Sequence, residues 1–238
     1  MMPPSTQNVL NDAFLNDARN RMVDSQIRPN RVSDPRILEA MRQLPRERFL
    51  PAGLLTLAYA DQNVPLGGGR VLLQPMVLAR LVQAAAPLRG ERALVAGAGS
   101  GYSAALLAAL GCEVTALEEP GMLLDLAKTA LAALAPAVRL VSGPLPAGWP
   151  TGAPYDVILI DGAVPEVPAA LASQLNRETG RLLTIVAPAG TGDGTYRVGH
   201  TGLAVHAEPT PAGVSVRALF DCLCPVLPGF ATAPVFEF

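Results

Sequence analysis

Histidine is scarce in this chain. Only His200 and His206 occur, both in the C-terminal third, which argues against chemistry built on imidazole acid–base transfer. Cysteine is nearly as rare: Cys112, Cys222 and Cys224 have no metal-ligand spacing, and a Cys-x-Cys pair without clustered histidine offers too few ligands. The three read as reduced, buried thiols, and no metal site is expected. Although 50% of the residues are hydrophobic and the mean hydropathy is +0.32, no apolar run reaches the length of a membrane span, because Pro, Gly or a charge interrupts each one. The first residues lack the basic start and apolar core of an export signal, so the expected location is cytoplasmic, with no membrane partner. A net charge of −2 without a basic cluster gives no electrostatic footprint for nucleic acid. Small molecules or proteins remain as partners.

What the chain does have is a strand–glycine–helix–strand unit over residues 92–118. Arg92 to Ala96 reads as a buried strand, Gly97, Ala98, Gly99, Ser100 and Gly101 as a tight turn, Tyr102 to Leu110 as a helix, and Glu113 to Leu117 as a second strand with Glu118 at its end. Glycines there let a ligand approach the backbone N–H groups, and an acid ending the next strand is placed to accept from the two hydroxyls of a ribose. The spacing is GxGxG rather than the GxGxxG of a dinucleotide fingerprint, and Tyr102 follows at once. This combination suits S-adenosylmethionine better than NAD.

Around this unit the chain divides into four parts. Residues 1–8 are expected to be disordered. Residues 9–70 are expected to form a helical cap: an amphipathic helix from Val9 to about Ile27, a second helix capped by Ser33 or Asp34 with Pro35 in its first turn, and a loop ending in Gly67, Gly68 and Gly69 that borders the site. Residues 71–222 form the nucleotide domain. It has a helix opened by Pro75, strands around Val138 to Val141, Tyr155 to Ile160 and Arg181 to Ala187, and helices over Gly121 to Leu134 and Pro168 to Leu175. Strands and helices alternating in this way imply an α/β fold, a mostly parallel sheet with helices on both faces. After a glycine-rich loop (Gly190 to Gly194), runs around Leu203 to His206 and Val214 to Phe220 suggest an antiparallel C-terminal hairpin at the sheet edge. Residues 223–238 read as an extended C-terminal strap, and Trp149 as core packing.

The stretches MVDSQIR (22–28), LPRERF (44–49), AYADQNVPLGGG (58–69), QP (74–75), VAGAGSGYSAALLA (95–108), GPLPAGW (143–149), APYDVILIDGAVPEVPAALASQL (153–175) and GRLL (180–183) follow one another in an order and spacing that resembles the protein-L-isoaspartate O-methyltransferase family. The resemblance implies a class I, Rossmann-like methyltransferase fold with an N-terminal extension. It also implies S-adenosylmethionine as cofactor and, as substrate, the carboxylate of isoaspartyl residues in damaged proteins or peptides, hence protein repair. Carried over residue by residue, it implies cofactor contacts at Gly97, Ala98, Gly99, Gly101, Tyr102, Glu118, Gly143, Pro144 and Leu145. Substrate contacts fall at Tyr59, Asp61, Val64, Pro65, Leu66 and Val71, and reaction-centre positions at Leu73, Gln74 and Asp161.

Four of these positions depart from the family pattern. Pro144 replaces an aspartate on the adenine side, Val71 and Leu73 replace a threonine and a serine, and Asp161 stands where a small or hydroxyl residue is usual. The apolar Val71 and Leu73 lead to an expectation of slow isoaspartyl methylation, with a more apolar small-molecule acceptor, or cofactor binding without methyl transfer, as the alternatives. Asp161 is then a candidate base or orienting group, or else a turn carboxylate before Gly162.

Overall fold

The computed structural model describes residues 6–187 and 201–230. The chain opens with α1 (Thr6–Met22), which runs into a π-helical turn (Val23–Ile27), so the first helix includes Thr6 to Asn8, assigned above to a disordered start. Helix α2 (Pro35–Gln43) begins as its sequence dictates: the Asp34 side chain accepts from Arg36 N, and Pro35 takes the first turn, where no N–H is needed.

The segment before the nucleotide domain is not a plain loop. Val64–Gly67 (β1) and Arg70–Leu72 (β2) pair antiparallel, Val64 opposite Leu72 and Pro65 opposite Val71. Gly67, Gly68 and Gly69 all have positive φ, at 92°, 58° and 74°, so the glycine run that looked like a break is a reversal joining two strands. Helix α3 (Pro75–Ala85) follows directly.

The central sheet contains β3 (Arg92–Ala96), β4 (Glu113–Glu118), β5 (Arg139–Ser142), β6 (Val157–Val164), β7 (Arg181–Val186), β8 (Gly202–Thr210) and β9 (Gly213–Cys222), in the order β5-β4-β3-β6-β7-β8-β9. The first five are parallel; β8 and β9 are antiparallel and form the expected edge hairpin, longer than the sequence suggested. Helices α4 (Tyr102–Ala109), α5 (Met122–Leu134) and the single-turn α6 (Ala169–Ala172) complete the layers, α6 being shorter than the Pro168 to Leu175 helix expected.

Both faces of β3, β6 and β7 are covered, which is why they read as apolar runs, whereas the edge strand β5 is partly exposed. Alternation along β3 divides its residues between two cores. Ala93 and Val95 join the cap, α3 and α4, while Leu94 and Ala96 pack with Leu117, Leu145, Ile158, Ile160 and Leu227. Strand β6 passes through Asp161 to Val164 instead of ending there, because a register shift against β7 between Leu159 and Ala163 lets the extra residues fit within the strand. Beyond β9 the strap bridges back to β6, Val226 beside Ala163. The Gly190 to Gly194 loop and residues 231–238 lie outside the described residues.

Candidate active site

The glycine loop sits at the carboxyl ends of β3 and β4. Gly101 (φ 97°) turns the chain into α4, and a Cβ there would lie 2.9 Å from Leu131 Cγ, so both backbone and space require glycine. The loop's N–H groups do not stand free as the sequence suggested. Gly97 N and Ala98 N both donate to Leu117 O at 3.0 Å, and Gly101 N donates to Ala98 O at 2.8 Å. Gly99 N donates to Glu118 Oε2 at 2.6 Å. The loop is thus fastened to β4, and it can serve a ligand by shape and by presenting Glu118.

Glu118 is 1% exposed and closely held. Its own neighbour, Glu119 N, donates to Oε1 at 3.0 Å. Arg70, on β2, donates from Nη1 to Oε1 at 2.7 Å and from Nη2 to Oε2 at 2.8 Å, and Nη2 also donates to Gly97 O at 2.9 Å. Burial pulls the Arg70 guanidinium down, but the hydrogen bonds and charge of Glu118 outweigh it and leave its pKa raised. The other side of the loop is roofed by the strap: a Cβ on Gly97 would lie 3.2 Å from Leu227 Cδ1, 3.3 Å from Arg70 Nη2 and 3.5 Å from Leu145 Cδ1. Leu66 Cδ1 lies 3.8 Å from the same position on Gly99.

Gly143, Pro144 and Leu145 follow the end of β5 beside this centre: Gly143 N donates to Glu118 O at 3.1 Å, and Leu145 is fully buried in the second core. Trp149 packs on that core too. The chemistry of these residues fits a nucleoside, with a carboxylate for the ribose and an apolar wall from Leu117 and Leu145 for a base. Arg70 and Leu227 fill the space between them in this conformation.

Tyr102 is placed differently from the expectation of a cofactor contact. Its ring is fully buried below the loop, under the Arg46 guanidinium at 4.9 Å and against Phe49. It anchors the cap. Arg46 is itself fully buried; Nε donates to Ala58 O at 2.8 Å, Nη2 to Leu73 O at 2.5 Å, and Nη1 has no partner.

Asp161 is not a turn carboxylate. It lies inside β6, buried, accepting at Oδ2 from Ser103 Oγ, while Oδ1 has no partner. Burial pushes its carboxyl up to about 6, against the Ser103 hydrogen bond and the charges of Arg70 and Arg46.

Leu73 is 1% exposed and its side chain belongs to the first core, so it contributes a carbonyl to Arg46 rather than a surface to a substrate. Val71 is half-buried on β2, Val64 and Leu66 are buried, and Pro65 is exposed. Asp61 and Gln74 come together, Gln74 Nε2 donating to Asp61 Oδ1 at 2.7 Å. Tyr59 stays with the cap: its hydroxyl donates to Glu47, and burial followed by that contact drives its pKa up. Sequence reasoning missed Arg70, Arg46, Ser103 and Leu227. A single cation between three glycines and the apolar run Val71 to Leu73 was the available signal for Arg70.

The profile of the protein-L-isoaspartate(D-aspartate) O-methyltransferase family matches residues 17–197. This chain belongs to that family. A protein-L-isoaspartate O-methyltransferase of Rhodopseudomonas palustris strain HaA2 is 47% identical over 158 residues, 66% of this chain and 64% of its own, so the match spans just under two thirds of that relative. One from Methylorubrum populi is 43% identical over 173 residues, 73% of this chain and 81% of its own. Among solved structures, a protein-L-isoaspartate O-methyltransferase superposes with a TM-score of 0.74 at 23% identity, covering 90% of this chain and 67% of that one. A second, from Plasmodium falciparum in complex with S-adenosyl-L-homocysteine, gives 0.69 at 17% identity, covering 88% of this chain and 98% of its own. Membership makes the chain an S-adenosylmethionine-dependent methyltransferase, and these superpositions share the class I fold described above. Among the described residues no helix is long and apolar enough to cross a membrane.

Proposed function

We propose that this methyltransferase acts on the carboxylate of isoaspartyl or D-aspartyl residues in damaged proteins or peptides, and that Glu118 is the ribose ligand of its cofactor. The observation that supports the reading most is the placement of Glu118 at the end of β4 against the glycine loop in a chain of this family. S-adenosylmethionine supplies a methyl group already activated on a sulfonium, with a neutral leaving group. The protein therefore has to hold, align and keep dry, more than to move protons. Glu118 and the glycine loop hold the nucleoside, and the roof of Leu66, Leu145 and Leu227 excludes water from it.

An isoaspartyl carboxylate is anionic at neutral pH and attacks without a general base. Asp161 is accordingly a buried partner of Ser103 and the nearby arginines, not a base. Because Val71, half-buried on β2, offers no hydroxyl to the acceptor, turnover on an isoaspartyl peptide is expected to be slow. We place the reaction in the cytoplasm, where the buried free thiols of Cys112, Cys222 and Cys224 stay reduced.

The test is transfer of labelled methyl from S-adenosylmethionine to an isoaspartyl peptide and to the same peptide with normal aspartate. Base-labile label in the isoaspartyl peptide alone is expected. Equal labelling of both, or label appearing only in a small-molecule extract, overturns the assignment in favour of another acceptor.

A further inference from the structure

The Glu118 carboxylate is saturated. Oε1 accepts from Arg70 Nη1 and Glu119 N, and Oε2 from Arg70 Nη2 and Gly99 N, which uses the roughly four acceptor positions that a carboxylate has. A ribose diol needs two of them. Gly99 N and Glu119 N belong to the backbone that shapes the loop and the end of β4, so the donor able to leave is Arg70, which reaches in from the separate hairpin β1–β2.

A displaced guanidinium in a buried setting needs another anion. One is at hand. Asp161 Oδ1 is buried with no hydrogen-bond partner, while its Oδ2 is already taken by Ser103, and the charges of Asp161 and Arg70 already act on each other. An orphaned carboxylate oxygen is a costly thing to leave buried, and a second position for Arg70 accounts for it.

We propose that Arg70 gates the cofactor site: it closes the ribose subsite by occupying Glu118, and it transfers to Oδ1 of Asp161 when the ribose hydroxyls take the Glu118 carboxylate. This rests on the reading of Glu118 as the ribose ligand. Arg70 is in this sense a positioning residue, an internal competitor of the cofactor whose two stations are two carboxylates on neighbouring parts of the same site.

The test is calorimetric titration with S-adenosylhomocysteine of the wild type, Arg70→Met, Asp161→Asn and the double variant, with thermal melting of each. Arg70→Met removes the competitor and is expected to bind at least tenfold more tightly, with a lower melting temperature in the absence of ligand because Glu118 loses its partner. Asp161→Asn removes the second station and is expected to weaken binding severalfold while Arg70 is present, and to change nothing in the Arg70→Met background. Arg70→Gln, which keeps a polar head, serves if Arg70→Met does not fold, with the same tightening expected. Binding in the wild type that is unchanged or weaker in the Arg70 variants overturns the gate and leaves the cofactor reading intact. An Asp161→Asn effect of equal size in both backgrounds overturns the second station. No binding in any folded protein sinks the ribose reading and the gate together.

Discussion

Tyr102 and Phe49 meet edge to face, their ring centroids 5.3 Å apart and their planes at 80°. Tyr102 is the first residue of α4 after the glycine loop, and Phe49 belongs to the N-terminal cap, so the pair fixes the cap to the element that carries the loop. Removing Phe49 from this contact opens a cavity between them. Phe49→Ala is expected to lower stability by about 3–5 kcal/mol, read as a fall in the urea midpoint with an unchanged slope. A loss under about 1 kcal/mol would mean that the cap is not docked on α4.

Glu118→Ala is expected to have two separable effects. Losing the ribose contact weakens S-adenosylhomocysteine binding by about 1.5–3 kcal/mol, roughly ten- to hundredfold by calorimetry. Breaking the Arg70 pair costs up to about 3–5 kcal/mol in the unliganded protein, and less to the extent that the guanidinium moves to Asp161, visible by denaturant unfolding. Unchanged affinity would put the nucleoside elsewhere, whatever happens to stability.

Asp161 gives stability a pH dependence of definite sign. Its folded pKa of about 6 lies above the ordinary 3.8, so the native protein binds the proton more tightly than the unfolded chain does. The group therefore lowers stability as pH rises from about 4 to about 6, and the loss, about 3 kcal/mol, is fully present above that range. Asp161→Asn should remove this slope, gaining on the wild type steadily between pH 4 and 6.5 in urea titrations. Parallel curves for the two proteins across that range would show that the carboxyl titrates normally.

Leu73→Ser is expected to destabilise by about 2–4 kcal/mol, because the side chain is part of the first core and a hydroxyl there gains no water. Guanidinium unfolding decides it, and a variant as stable as the wild type would return Leu73 to an accessible wall of the site.

What could be read from the sequence was what depends on neighbours along the chain. The turn through Gly97, Gly99 and Gly101, the Asp34–Pro35 helix start and Glu118 at the end of its strand are each fixed by a few adjacent residues. The misplaced features depend on contacts far apart in the chain. Arg70 meets Glu118 from a separate hairpin, and Tyr102 faces Phe49 instead of a ligand because the cap folds under α4. Asp161 looked like the end of a strand because acids usually are. Only the register shift of β6 against β7 and the hydroxyl of Ser103 make room for it inside. The glycine run before Arg70 was legible as a special path, but a reversal between paired strands cannot be told from a break without seeing Val71 opposite Pro65.

Among the described residues, the strap's backbone hydrogen bonds to the central sheet all fall on Ala163. Pro225 O accepts from Ala163 N at 3.3 Å, Leu227 N donates to Ala163 O at 2.8 Å, and the Leu227 side chain settles where Gly97 and Gly162 leave no Cβ in its way. It can therefore peel off without any two strands of the sheet parting, which makes it a separate unit of opening with a smaller free energy than global unfolding. In hydrogen exchange the Leu227 amide should be released well before those of β3. Leu227→Ala should quicken unfolding while leaving the folding rate almost untouched if the strap docks after the folding transition state, and a matching fall in the folding rate would place its docking earlier. How long the protein survives would then be set at the strap, far along the chain from the loop it covers.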